Sequence, residues 1–171
     1  IDSSGGGAVT AEGEAGAGAQ VTDGRWRPAP GLEGGTITAL AVDPQHPDTV
    51  FATTVQAGVF KSADGGTNWT AAASGLPGGV GPLAIDPQHP TIVYAARGID
   101  GLFKSVDGAA NWTSMNSGMS TWSIRALAID PQNSSSIYAL PGWTGSVFKG
   151  TESGSNWTSL SSTLPNFYPV V

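Results

Sequence analysis

The side chains that could do chemistry in this chain of 171 residues are few and scattered. Cysteine is absent, which removes thiolate nucleophiles, disulfides and any thiolate zinc site. His46 and His89 each stand next to a proline at equivalent places in two repeated segments, so they read as loop residues and not as a general base or a metal pair. Cleaving a glycosidic bond takes two carboxylates flanking it. Away from the repeated columns the full repeats offer chiefly Asp48 and Asp100, which fall in different repeats and on opposite loop sets. No nucleophile is spaced with a base. The sequence therefore assigns no catalytic residue, no metal ligand and no cofactor, and it leans against an enzyme.

The charges narrow the partner classes. Seven Lys and Arg against thirteen Asp and Glu give a net charge of −6, with no basic block. A nucleic-acid partner is excluded on that ground, because a clustered basic face supplies most of such affinity. No apolar run reaches the roughly 18–20 residues that span a bilayer, so membrane insertion is not expected. Few Lys and Glu beside many Thr, Ser, Gly and Asn suit a secreted β protein, extracellular or at the cell surface. The chain starts at Ile1 with no signal peptide before it, which reads as a processed form or a fragment.

Elements that could position side chains emerge from repetition. Trp26, Trp69, Trp112 and Trp157 are spaced by 43, 43 and 45 residues. Asp-Pro-Gln recurs at 43–45, 86–88 and 130–132, and Phe-Lys at 60–61, 103–104 and 148–149. A period of roughly 40–45 residues suits one four-stranded propeller blade. The expected strands are Thr36–Val42, Val50–Thr53, Gly58–Ser62 and Asn68–Ala71 in the first full repeat. The second offers Leu83–Ile85, Ile92–Ala95, Leu102–Lys104 and Trp112–Ser114, and the third Ala126–Ile129, Ile137–Leu140, Val147–Lys149 and Trp157–Ser159. Asp-Pro loops and glycine turns separate them, accounting for the 25 Gly and 12 Pro. No segment keeps a 3.6-residue apolar period, so helix content should be near nil.

The reading is an all-β propeller of four-stranded antiparallel blades, with clear blades at 32–74, 75–117 and 118–162. The Gly/Ala-rich arm 1–31 and the segment 163–171 continue the same phase. Joined end to start, Val170-Val171-Ile1-Asp2 matches Leu127-Ala128-Ile129-Asp130, and the Asp columns then lie 41, 43, 44 and 43 residues apart around the chain. This predicts a degenerate fourth blade built from both termini, or an arm that completes the sheet of a neighbouring copy; the alternative is a plain fragment.

Ser62-Ala63-Asp64-Gly65-Gly66-Thr67-Asn68-Trp69 reads Ser-x-Asp-x-Gly-x-x-Trp. It resembles the Asp-box, or BNR repeat, of sialidase-like propellers, and its flanks resemble those of xyloglucanase-like glycosidases and photosystem assembly-factor propellers. Ser105, Asp107 and Trp112 repeat it, with Ala109 in place of the Gly; Glu152, Gly154 and Trp157 form a third copy that lacks the Ser, and its turn is expected to be looser. The resemblance implies a structural box away from any active site. Chemically, the Asp accepts backbone N–H groups across the turn, the Ser adds another bond, and the Trp packs between blades. A sialidase-like site also needs an arginine cluster and a nucleophilic Tyr, and Arg25, Arg27, Arg97 and Arg125 do not form that pattern.

In an up-and-down blade the Asp-Pro-Gln loops and the boxes share one face, while the second-to-third loops and the links between blades share the other. That second face carries Arg97 and Asp100, and also Trp122 and Trp143, which lie off the repeat columns and could stack on a sugar ring. The functional expectation is a non-catalytic extracellular module for protein or glycan interaction or for structural assembly. It could self-associate through its N-terminal arm into a dimer or filament. The alternative is a fragment of a xyloglucanase-like or sialidase-like glycoside hydrolase whose catalytic residues lie elsewhere.

Overall fold

The computed structural model describes residues 31–32, 36–76, 79–116, 123–142, 146–151 and 154–160. Within them twelve strands form three separate four-stranded sheets, each antiparallel and each in simple chain order. The first blade holds β1 (Ile37–Val42), β2 (Val50–Thr54), β3 (Gly58–Ser62) and β4 (Thr70–Ala71). The second holds β5 (Val80–Ile85), β6 (Val93–Arg97), β7 (Gly101–Ser105) and β8 (Thr113–Ser114). The third holds β9 (Ile124–Ile129), β10 (Ile137–Pro141), β11 (Phe148–Thr151) and β12 (Asn156–Ser159). A short 3₁₀ turn spans Gly98–Asp100, and no α-helix occurs among the described residues. The expected fourth blade, Gly31 apart, lies outside the described residues.

Strand boundaries follow from local chemistry. Each first strand ends at an aspartate before proline. Asp43 Oδ1 accepts the N–H groups of Gln45 (2.8 Å) and His46 (3.1 Å), and Asp86 Oδ1 does the same for Gln88 (2.9 Å) and His89 (3.1 Å). Both aspartates are buried, so these bonds turn the chain and also satisfy the carboxylate. A register shift recurs near the start of every first strand, between Ile37 and Ala39, between Val80 and Leu83, and opposite Leu140 and Pro141. The fourth strands of the first two blades are shorter than expected: Trp69 and Trp112 precede them, because the turn before each strand holds that stretch of backbone in its own bonds.

The core lies between blades. Phe51 and Val59 of the first blade cluster with Val80, Leu83, Ile85, Val93 and Trp112 of the second. Tyr94 and Leu102 of the second cluster with Ile124, Ile137 and Ala139 of the third, with Leu127, Ile129 and Trp157 packed against them. The same columns meet at both seams, and β1, β5 and β9 touch in that order. Each fully buried Phe, Val or Leu contributes about 1.5–3 kcal/mol. A lysine crosses to an aromatic ring on its cross-strand partner in every blade: Lys61 over Phe51, Lys104 over Tyr94 and Lys149 over Tyr138, at 5.4, 5.5 and 5.6 Å. This pair gives the lysine of the Phe-Lys column its place.

Polar bonds also cross the seams. Gln45 Nε2 donates to the carbonyls of Pro87 (3.0 Å) and Gln88 (3.3 Å), and Gln88 Nε2 donates to that of Pro131 (3.2 Å). Among the described residues, the first seam carries a hydroxyl bridge that the second lacks, formed by buried Thr53 and exposed Thr38. Thr53 Oγ1 donates to the Gly81 carbonyl (2.8 Å), Thr38 Oγ1 donates to that of Val80 (2.7 Å), and the two hydroxyls lie 2.8 Å apart. At the second seam the matching columns hold Gly81 and Ala96, and a Cβ on Gly81 would meet the carbonyls of Ala96 and Ile124 at 3.7 and 3.9 Å. Replacing Thr53 by Val keeps its shape but leaves the Gly81 carbonyl without its hydroxyl donor, while Thr38 keeps its bond to Val80. Urea unfolding of Thr53→Val should show a loss of about 1–3 kcal/mol, the cost of an unsatisfied buried polar group; an unchanged midpoint would refute the bridge.

Candidate functional site

The Ser-x-Asp turns are densely hydrogen-bonded. Ser62 Oγ donates to Asp64 Oδ1 (2.8 Å) and accepts the Gly66 N–H (2.9 Å). Asp64 then accepts the Asn68 N–H on Oδ1 (2.8 Å) and the Asn68 side-chain amide on Oδ2 (2.7 Å). The second turn copies this with Ser105, Asp107, Ala109 and Asn111, at 2.8, 2.9, 2.9 and 2.8 Å. Both serines are buried. The bonds favour the charged carboxylate. The Asn68 backbone N–H, the Asn68 side chain and the Ser62 hydroxyl pull Asp64 from 3.8 to about 2, and the Asn111 side chain, the Asn111 backbone and Ser105 do the same for Asp107. These aspartates build turns.

The turns are tied to the Asp-Pro-Gln loops beside them. The Gly65 N–H donates to the Asp48 carbonyl and the Gly108 N–H to that of Thr91, both at 2.8 Å. The tryptophans divide. Trp112 Nε1 donates to the Ala72 carbonyl of the preceding blade (3.0 Å), bridging the seam, whereas Trp69 Nε1 returns to its own turn at the Gly66 carbonyl (3.0 Å). Ala109, in the box glycine's position, holds φ +74° with its methyl buried, while Gly66 has φ +90°.

The third turn corrects the expectation that losing the Ser loosens it. The ladder of β11 and β12 runs on through Gly150↔Trp157 to Thr151↔Asn156, whereas that of β3 and β4 stops at Lys61↔Thr70. Strand pairing therefore extends two residue pairs further toward the turn than in the first blade. Gly150 stands where the other turns have serine. A Cβ there would press on the Trp157 ring at 3.0–3.1 Å, so the missing serine makes room for the indole. A Cβ on Gly154, φ +90°, would come within 3.5 Å of Cζ2 of the same ring. Glu152 lies outside the described residues.

On the opposite loop face Arg97, the last residue of β6, forms an ion pair with Asp100 of the 3₁₀ turn. Asn116, which no spacing rule singles out, clamps this loop: its Oδ1 accepts the Leu102 N–H (2.9 Å) and its Nδ2 donates to the Asp100 carbonyl (2.5 Å). Gly101, at φ +87°, is needed because a Cβ would collide with the Asn116 amide. Its signal in the sequence is only the link between blades in which it stands. The structure brings Arg97 and Asp100 together; Trp122 and Trp143 lie outside the described residues. Among the described residues no group of three His, Asp or Glu is placed to hold a metal, and no helix is long and apolar enough to cross a membrane.

No family model matches this chain, and no curated protein matches it. Solved structures do. A GH74 enzyme of Niastella koreensis aligns over 70% of this chain and 20% of its own, at 23% identity and TM-score 0.63. YCF48 bound to D1 peptide aligns over 74% and 39%, at 18% identity and TM-score 0.57. A nidogen/laminin complex aligns over 74% and 48%, at 17% identity and TM-score 0.60. These are β-propeller proteins, and the likeness is one of fold: three propeller blades. The chain spans a fifth to about half the length of these relatives.

Two measurements check the turns. Because the folded carboxylates titrate at about 2 and the unfolded ones near 3.8, their stabilisation is complete above pH 4 and drains away as pH falls toward 2. The Tm should drop across that window and drop less steeply in the Asp64→Asn, Asp107→Asn double variant; parallel curves would refute the assignment. Gly66→Ala should cost about 1–2 kcal/mol, the left-handed backbone penalty that Ala109 already tolerates. The new methyl would only touch the Trp69 ring, at 3.6 Å.

Proposed function

We propose that this chain is a non-catalytic propeller module that works by binding, with protein as its partner class and a place outside the cell or at its surface. One observation carries the reading. The aspartates of the repeat columns are spent on backbone: Asp43, Asp64, Asp86, Asp107 and Asp130 each accept N–H groups of their own loops. Asp100 is paired with Arg97. Carboxylates engaged in this way stabilise loops and are unavailable as a general acid and base. We read the Ser-x-Asp turns as Asp-boxes with that structural role.

The binding face in this reading is the loop face of Arg97, Asp100 and Asn116, where a clamped turn presents an ion pair. Relatives of the same fold are described as bound to the D1 peptide and as a nidogen/laminin complex, which supports a peptide or protein ligand. The low Lys and Glu content supports the extracellular placement. A second reading, a piece of a longer glycoside hydrolase, draws on the GH74 likeness, in which this chain matches 20% of the enzyme. Incubating the purified chain with xyloglucan and measuring reducing ends separates the two: we expect no turnover, and sugar release would overturn the non-catalytic reading. In parallel, a peptide array probed with the chain should yield binders that Arg97→Ala weakens about tenfold, whereas binding to soluble oligosaccharides alone would shift the partner class to carbohydrate.

A further inference from the structure

Each end of the three-blade row leaves open part of the apolar face that the interior buries; at the first blade Ala52, Phe60 and Trp69 are covered, with Leu32 against them, and the β1 part is open. The column that supplies Val80, Leu83 and Ile85 to the second blade is 1%, 9% and 9% exposed there, packed against Phe51 and Val59 of the first. In the first blade the same column is Ile37, Leu40 and Val42, at 40%, 63% and 55%. At the far end, Tyr138 and Val147 occupy the columns of Phe51 and Tyr94 and of Val59 and Leu102, all four of which are buried. Here they line a shallow apolar depression of about 110 Å³ with Ala126, Ala128 and Leu140, and Leu140 is 39% exposed against 1% for its counterpart Ala96.

These faces differ from each other and are complementary. Internally the Phe51/Val59 face of one blade packs on the Leu83/Ile85 face of the next, and the second seam repeats the arrangement. The third blade of one molecule therefore carries what the first blade of another packs against. Within one molecule the two faces look outward from opposite ends of the row and do not serve each other. Gln132 extends the ladder in which Gln45 and Gln88 each reach the Asp-Pro-Gln loop of the following blade.

We infer that a second copy of this chain docks head to tail, third blade on first blade, at both ends. Two copies of one heterologous interface then close a ring of six blades. Propellers of about four to eight blades make that a permitted size. The inference rests on the seam geometry and not on the binding role of the Arg97 loop, so either can fail alone.

Sedimentation velocity of the full 171-residue chain over a concentration series tests it. The expected species has twice the 17.2 kDa of one chain. Leu40→Glu and Leu140→Glu each place a charge on one end face at a position already exposed, so each should keep the wild-type circular dichroism spectrum and sediment as a monomer. Mixing the two variants should restore a weaker dimer, because each supplies the face that the other lacks. A head-to-head dimer would not behave this way, since one of the two variants would remain dimeric alone. A wild-type monomer at all concentrations would overturn the proposal. If the same two variants then lowered its Tm, the faces would belong to residues 1–30 and 161–171 of the chain itself. Open-ended polymers, or a dimer that both variants leave intact, would overturn it equally.

Discussion

A four-stranded sheet with two apolar faces cannot be stable alone, and the organisation of this protein follows from that constraint. Ala52, Ala95 and Ala139 point to one side of the second strands, and Phe51 and Tyr94 to the other; all five are buried. Neither side can be left to water at about 25 cal/mol per Å² of apolar surface. Each blade needs a neighbour on both sides. The small residues along β1, β5 and β9 let the first strands approach, and the large ones further out fill the widening space between sheets.

Polar chemistry is subordinate to that packing. The Ser-x-Asp turns, the Asp-Pro-Gln loops and the Lys–aromatic pairs spend charge on fixing hairpins at the blade rims, so that the apolar strands between them keep their register. The chain has only 12% charged residues, and five of its aspartates, Asp43, Asp64, Asp86, Asp107 and Asp130, accept backbone N–H groups of their own loops. The loop of Arg97 and Asp100 differs. It is clamped by the Asn116 side chain, and a 3₁₀ turn closes its antiparallel hairpin.

Periodicity makes the blades legible in the sequence. The Trp, Asp-Pro-Gln and Phe-Lys columns located every strand within a few residues, because each column is tied to one hairpin. What stayed hidden depends on pairs that meet across strands or seams. Nothing local marks Gly150 as the seat of the Trp157 ring, since the two are cross-strand partners. The ladder of that hairpin runs further where the lost serine suggested slack. Asn116 was equally invisible, as it acts on Asp100 and Leu102 from fourteen or more positions away. The pairing of Arg97 with Asp100 was accessible from their spacing of three residues, but its purpose was not.

The hydroxyl bridge of Thr38 and Thr53 bears on how the chain assembles itself. Repeats that are too alike invite misassembly, because a hairpin can dock on any of several equivalent neighbours. Here the first seam demands hydroxyl groups opposite the carbonyls of Val80 and Gly81, and the second offers only the small surfaces of Gly81 and Ala96. A third blade docked in place of the first would bring Leu140 where Thr53 stands and leave the Gly81 carbonyl without a hydroxyl donor. The unequal seams thus act as an address code, and the order of the blades is written in the few positions where the repeats disagree.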